Sequence, residues 1–475
     1  MRFNVKKFLQ FSIGQIGGSL ISFISLPIIT YFISPEEYGR TGMFTLFITI
    51  LQLVIFLGMD QGYVKYYYDE ENKRNLFINS LIPSALLIGV LEIALFAYRY
   101  WICDFLFSST DIICVYAVMI DLPALALERF GLLEIRMSQR GLKYSIIHVL
   151  LKALTIVATV FLFYTYNRNY VSVVLGTVTA QIIIAIILIL DISREVNSSH
   201  SAVNFDRDLI SKLLRYSLPI IPATIIGWVL NGMDKVMLKQ IGTLYDVGLY
   251  TAAFKYASIL SMVKACFSTY WVPLAHSWNN ENADKSNFTE VGNCLTMLLS
   301  VMFVGVVTLK DPLFHLLSSD YLEGEFIMPF LIFVPIMNAM SEVTVMGIYF
   351  SEKTQYTIVV SGVSAAVNLI LNWLLIPMYG AIGASIATGI SYIVFFWIRT
   401  LISRKFWYQF PLGNYVFVTL VLVVCCTCNI LIRNPIIYAI NVFLLVLLIF
   451  VQRKYVDVAI RIVKNTLKRK KYEGA

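Results

Sequence analysis

Residues 213–250 read LLRYSLPIIPATIIGWVLNGMDKVMLKQIGTLYDVGLY. Lys212 and Arg215 lead into a long apolar run that carries two prolines, Pro219 and Pro222. Asp234 and Lys235 sit inside the run, with Val236, Met237 and Leu238 still to follow. Residues 8–39 follow the same plan: a basic start, an apolar helix with Pro27, then SPEEYG where the later copy has TLYDVG. Gly39 and Gly248 match at an offset of about 209 residues, and Ser12 and Ser217 at about 205, so one unit is used twice with a short insertion. In a membrane protein, parallel repeats predict two bundles related by an axis along the membrane normal, with the substrate site between them.

Composition sets the class. The 475 residues are 58% hydrophobic and only 14% charged, against roughly 25% charged in soluble domains, and mean hydropathy is +0.75. This composition is that of an integral membrane protein. The net charge of +8 does not signal nucleic acid, because the basic residues lie between apolar runs and form no single patch. The cluster Cys425-Cys426-Thr427-Cys428 sits in an apolar run with no histidine near it, which reads as packing and not as a metal site. The start, MRFNVKKFLQF, has the charge of a signal-peptide n-region. Its apolar stretch is too long and lacks a small-residue cleavage site, so a retained first helix is expected.

A bilayer span takes roughly 20 apolar residues. About fourteen such runs are present. Six lie at 8–33, 41–62, 76–98, 112–133, 142–164 and 170–190, and six more at 213–238, 247–272, 291–309, 326–350, 357–376 and 381–402. Two others, 415–432 and 436–451, have no counterpart in the repeat. The expected organisation is all-α: an N-terminal six-helix bundle (1–192), a polar cytoplasmic linker (193–212), a C-terminal six-helix bundle (213–404), two additional helices (405–452) and a tail (453–475). In the tail, Val456, Ile460, Val463 and Leu467 form one stripe beside five basic residues, which predicts an amphipathic helix on an anionic leaflet.

Ionisable residues inside spans are costly and default to functional candidates. By residue count, Asp121, Lys152 and Lys255 lie about 14 Å into their spans, while Asp60, Glu128, Arg129 and Lys264 fall near the cytoplasmic end, where snorkelling suffices. At 100° per residue, Asp121 shares a face with Glu128, His148 with Lys152, Asn338 with Glu342, and Asn368 with Asn372, whereas Lys255 and Lys264 oppose one another on a straight helix. Ser12, Gln15, Ser19 and Ser22 stripe the first span. Polar faces on so many helices predict an aqueous interior. There is no GxxxxGK[ST], HExxH or GxSxG motif, and no loop long enough for a catalytic domain. A transporter fits better than an enzyme.

Four stretches carry a family resemblance: SLPIITYFISPEEYGRTGMF (25–44), RYSLPIIPATIIGWVLNGMDKVMLKQIG (215–242), VGLYTAAFKYA (247–257) and VNLILNWLLIPMYGAIGASIAT (367–388). They resemble the Wzx-type polysaccharide and O-antigen flippases of the multidrug, oligosaccharidyl-lipid and polysaccharide exporter superfamily, over residues 4–404. The resemblance implies two six-helix bundles forming a V in a bacterial inner membrane. It also implies a cargo, a polyprenyl-pyrophosphate-linked oligosaccharide moved to the outer leaflet by alternating access, for O-antigen, capsule or exopolysaccharide synthesis. Lys255 takes the family's basic position and Asp234 its acidic one, with Lys235 beside it. Lys152 and Asp121 rest on depth and phase alone, and Glu342, Asn368, Asn372 and Gln15 complete the expected substrate-binding set. No metal or cofactor is implied; the expectation is coupling to an H+ or Na+ gradient. Expected partners are the lipid-linked oligosaccharide, membrane lipids and polysaccharide polymerase machinery, not nucleic acid. A drug exporter and a peptidoglycan-precursor flippase share the fold. A membrane polymerase or ligase is the rival from another class.

Placing the N-terminus in the cytoplasm puts roughly 26 Lys and Arg on inside segments and about 6 outside, so both termini are predicted to be cytoplasmic. Cysteines introduced as S198C and S318C test this on intact cells with a membrane-impermeant thiol reagent. The expected result is labelling at 318 and not at 198; the reverse pattern contradicts the topology.

Overall fold

The computed structural model describes residues 5–197, 204–281 and 283–455; it describes no side chain up to residue 15 and none from 192 to 203. The tail beyond residue 455 and residues 198–203 of the polar linker lie outside the described residues. Within them the chain is helical throughout, and eight helices are long and apolar enough to cross a membrane, or nine if one bent pair counts as a span. By clustering of contacts the chain forms two compact units, Met1–Thr251 and Ala252–Ala475.

The first unit contains α1 (Val5–Phe32), α2 (Pro35–Phe56), α3 (Met59–Tyr66), α4 (Lys73–Ala97), α5 (Arg99–Phe107), α6 (Ile113–Met137), α7 (Gly141–Thr165), α8 (Tyr170–Asn197), α9 (Arg207–Ser217), α10 (Ile221–Ile241) and most of α11 (Leu244–Ala257). Local signals fix the ends. Ser34 accepts from the Glu37 amide, Pro35 needs no amide partner at the first helical position, and Glu36 and Glu37 face the positive end of α2. The run expected to be one span at 41–62 breaks at Leu57 and Gly58, both left-handed (φ 45° and 71°), and α3 leaves in a new direction. Leu132, Ile135, Ile147, Leu151, Ala180, Ile184 and Leu188 build a core where α6, α7 and α8 meet. The Gly14 amide donates to Ser145 Oγ at 2.9 Å and fastens α1 to α7.

The end of the polar linker and the chain beyond it also pack in this unit. Asn79 of α4 receives the Asp206 amide (2.9 Å) and donates to the Asn204 carbonyl (3.0 Å), and Lys212 pairs with Glu70 at 3.0 Å. The repeat-matched glycines meet here. A Cβ on Gly39 would lie 2.1 Å from the Leu244 carbonyl oxygen, and one on Gly248 would lie 1.8 Å from that of Pro35. Pro35 and Leu244 are themselves repeat equivalents, as are Gly42 and Thr251, which also touch. A segment that contacts its own equivalent lies on a pseudo-two-fold axis, and only residues without a side chain permit this approach.

The second unit contains α12 (Ser261–Asn280), α13 (Ser286–Thr308), α14 (Lys310–Phe314), α15 (Met328–Leu331), α16 (Phe333–Thr344), α17 (Met346–Phe350), α18 (Gln355–Phe406), α19 (Gly413–Leu431) and α20 (Ile436–Val451). The run expected at 247–272 breaks at a 3₁₀ turn, Ser258–Leu260, so the straight-helix phase between Lys255 and Lys264 does not apply. Gly380 (φ 54°, ψ −131°) divides α18 into two arms, which accounts for the two runs at 357–376 and 381–402. Asn429 and Asn441 exchange amide hydrogen bonds at 2.8 and 3.3 Å and join α19 to α20. In hydrocarbon such paired amides stabilise by about 1 kcal/mol. Cys425 and Cys426 are buried beside them.

The axis contact can be trapped. A Cβ on Gly42 would lie 3.4 Å from that of Thr251, at the short end of the disulfide range of about 3.5–4.5 Å. In a background without the seven native cysteines, the pair G42C and T251C is expected to crosslink on mild oxidation, read as a mobility shift after cleavage between the two positions. Absence of a crosslink in a well-expressed protein contradicts the contact.

Candidate functional site

A polar cavity of the first unit is built around α6. Residues Leu125, Glu128, Arg129, Leu132 and Arg136 recur every three or four positions, so one helical face turns into the space. α2 contributes Thr49 and Gln52, α3 contributes Asp60 and Gln61, α7 contributes Tyr144 and His148, and Ile220 and Thr224 line the remaining side. The cavity is open on one side and its volume is about 490 Å³, within the 300–1,000 Å³ usual for ligand sites.

The break at Leu57–Gly58 creates the central ion pair. It swings Asp60 towards Arg129, whose Nη2 and Nε donate to Asp60 Oδ2 at 2.5 and 3.2 Å. Gln61 Nε2 donates to the same oxygen at 3.3 Å. The Asp60 side chain is 10% exposed and that of Arg129 45% exposed, so the carboxylate is consumed by the pair while much of the guanidinium faces the cavity. A guanidinium presents several N–H donors in a rigid fork, so one held by a carboxylate on one edge can still bind a phosphate with the others. Tyr144 meets His148 edge-on at 4.6 Å. Behind this wall, Tyr63 and Tyr67 both donate to Glu134, the latter at 3.0 Å.

Of the residues expected from sequence, Asp121 and Lys152 join this region. Glu128 is within electrostatic reach of both, and Lys152 is also within reach of His148. Asp121 is 2% exposed, two turns along α6 from Glu128, and does not line the space. Asp234 is buried and accepts from the Tyr250 hydroxyl at 2.7 Å, with Lys235 beside it on α10. The side chain of Gln15 lies outside the described residues.

The others lie in the second unit or at its edge. Lys255 is half-buried in the last turn of α11. Glu342 binds Lys264 at 3.3 Å and Ser268 at 2.7 Å, while its carbonyl accepts from Trp271 at 3.1 Å. Asn368 and Asn372 are fully buried; Asn372 donates to Asn368 at 3.0 Å, and Asn368 reaches Thr388 at 3.5 Å across the bend of α18. That geometry ties the two arms together. Arg399, which span counting does not single out, is buried and donates to Ser341 at 2.7 Å and Tyr349 at 3.1 Å.

Sequence reasoning treated Asp60, Glu128 and Arg129 as interfacial and passed over Arg136, Gln52 and Tyr144. Depth counted along a continuous span misplaces Asp60 once the helix breaks before it. The signal available was the LGMD stretch at 57–60, where a glycine and an aspartate interrupt an apolar run.

The family model described as polysaccharide biosynthesis protein matches residues 5–278. The chain is 22% identical over 206 residues to the probable low-salt glycan biosynthesis flippase Agl15 of Haloferax volcanii, a match that covers 42% of this chain and spans 44% of that relative. Among solved structures it is similar to the lipid II flippase MurJ in an inward closed conformation, with TM-score 0.69 and 16% identity over 96% of this chain and 99% of that one. It is also similar to a multidrug resistance MATE family transporter in an inward-facing conformation, with TM-score 0.61 and 15% identity over 83% and 94% of the two chains. At these identities the structural likeness concerns the fold. The chain belongs to the polysaccharide biosynthesis protein family and has the multi-pass membrane fold shared by the MurJ and MATE transporters.

Proposed function

We propose that this protein is a flippase that carries polyprenyl-pyrophosphate-linked oligosaccharide from the cytoplasmic to the outer leaflet for surface polysaccharide synthesis. The observation that carries the reading is the cavity at Arg129. A pyrophosphate leaving water needs cationic, multidentate donors, and Arg129, Arg136 and His148 line one space. Gln52, Gln61, Thr49 and Tyr144 supply the amide and hydroxyl partners that a sugar requires. The family and the glycan flippase relative support this choice over a drug exporter.

Transport of an anion across the membrane by alternating access needs a site whose charges are satisfied both with and without cargo. The Asp60–Arg129 pair provides this, because the guanidinium is neutralised when empty and keeps free N–H donors for a phosphate. Lys152 lies within electrostatic reach of Glu128. Coupling to an H+ or Na+ gradient, and delivery to polysaccharide polymerase machinery, belong to the same proposal. Lys255 is assigned as a further cargo-binding cation, on its position in the GLYTAAFK stretch.

Removal of the protein is expected to make a lipid-linked sugar accumulate with its sugar facing the cytoplasm, read by protection from an impermeant glycosidase in spheroplasts. No accumulation contradicts the function. In the same cells, Arg129→Ala and Lys255→Ala proteins at parental abundance are expected to leave the accumulation in place, and Lys255→Arg to relieve part of it, since arginine also binds phosphate. Full relief by a Lys255→Ala protein removes Lys255 from the site without touching the function.

A further inference from the structure

The second unit carries a compact group of charges at the corner where α13 ends. Lys310 and Asp311 open α14, and Glu325 lies near the end of the 3₁₀ segment Ser319–Phe326. The corner falls in the loop between the apolar runs at 291–309 and 326–350, outside both spans. The 3₁₀ segment meets the helical stretch Met328–Thr344 at a bend of 57°. The two sides of the corner pack closely. Phe314 and Tyr321 are fully buried, and the Phe314 ring rests on the Gly324 backbone, where a Cβ would lie 2.3 Å away. Tyr256, next to Lys255 at the end of α11, donates to the Leu313 carbonyl at 3.0 Å and meets Phe314 edge-on at 5.4 Å.

The charges of the corner do not balance by themselves. Lys310 Nζ lies 3.0 Å from Asp311 Oδ1 and 4.0 Å from Glu325 Oε1, on a side chain only 5% exposed. It also stands 4.5 Å over the Phe326 ring, over which Arg433 lies at 4.6 Å. Asp311 Oδ2 accepts from the Tyr438 hydroxyl of α20. Glu325 is within hydrogen-bond reach of Asp311. An ionised carboxylate only accepts, and two ionised ones repel, so carboxyl groups in such contact hold one hydrogen between them. His315 attracts Glu325 more weakly, and its Nδ1 donates to the Asp311 carbonyl at 2.8 Å. Asp320 and Glu323 are exposed. Burial, then the charge and hydrogen bond of Asp311, push the Glu325 carboxyl above the ordinary range against the pull of Lys310. Burial acts the same way on Asp311, but the Tyr438 and Lys310 hydrogen bonds and the Lys310 charge outweigh it and hold that carboxyl below its ordinary range.

We propose that Asp311 and Glu325 share one proton and so form a pH-operated latch, which holds α14 against the Ser319–Phe326 segment while the proton is bound and loosens when it leaves for water. Glu325 stabilises the closed corner at low pH and gives this up as the pH rises through its raised value; Asp311 stabilises it above the ordinary carboxyl value and gives this up only as the pH falls through its lowered one. The corner is therefore tightest near the ordinary carboxyl range, about pH 4, and loosens on the alkaline side. On the predicted topology it faces the outside and senses the pH there. The latch does not rest on the cargo proposed for the cavity of the first unit.

The test is hydrogen–deuterium exchange of the full chain in nanodiscs at about pH 5 and about pH 8, with labelling times scaled to equal intrinsic amide exchange. Protection of residues 311–326 is expected to fall roughly fivefold at the higher pH, relative to α13. E325Q stays neutral and keeps an N–H donor for Asp311, so it is expected to hold the low-pH protection at both values. D311N is expected to remove the pH dependence, and H315Q to keep it. Equal parental protection at the two pH values overturns the proposal, as does an E325Q or D311N protein with the parental pH dependence, or an E325Q protein already loosened at the lower pH. Loss of the dependence in H315Q assigns the switch to the imidazole and also overturns it. The parental and H315Q measurements decide even if the carboxyl variants fail to reach the membrane.

Discussion

A charge held among apolar helices must find an opposite charge, a set of hydrogen bonds, or water. This constraint organises the first unit. Asp60 could not be buried beside α6 without Arg129, and Arg129 could not turn away from bulk water without Asp60. Their meeting depends on the backbone break at Leu57–Gly58, which costs the helix its continuity and gains a cavity wall. Around that pair the remaining polar residues of α2, α3, α6 and α7 enclose a space large enough for a headgroup. The same rule applies in the second unit with a different outcome: Glu342, Arg399, Asn368 and Asn372 are taken up by neighbouring helices.

The second constraint is the internal repeat. Equivalent segments meet at Gly39 and Gly248, where a methyl group on either would overlap a backbone carbonyl. This contact lies within the first compact unit and ties α2 to α11.

The fold was legible in the sequence because its determinants are long-range averages. Hydropathy over some twenty residues marks spans, and a repeat of Gly39 at Gly248 survives the loss of most other identities. Breaks inside spans were not legible. Leu57 and Ser258 sit in apolar runs that look continuous, and their departure from the helix depends on what packs against them. The candidate site inherited that error. Phase arithmetic worked within unbroken helices, linking Asp121 to Glu128 and His148 to Lys152, and failed across the turn that separates Lys255 from Lys264. Depth counting undervalued Asp60 and Arg129, because a residue near a span's end can still face inward when a neighbouring helix bends over it.

The central claim is that the charged cavity moves a pyrophosphate-linked sugar across the bilayer. The most direct measurement is translocation in vesicles that hold the purified protein, with a polyprenyl-pyrophosphate-linked oligosaccharide loaded in one leaflet and an impermeant glycosidase outside. The account predicts that the protein brings the inner pool of sugar to the enzyme far faster than protein-free vesicles do, and that a folded Arg129→Ala protein loses most of that gain. Transfer at the protein-free rate, under both an imposed proton gradient and an imposed sodium gradient, contradicts it.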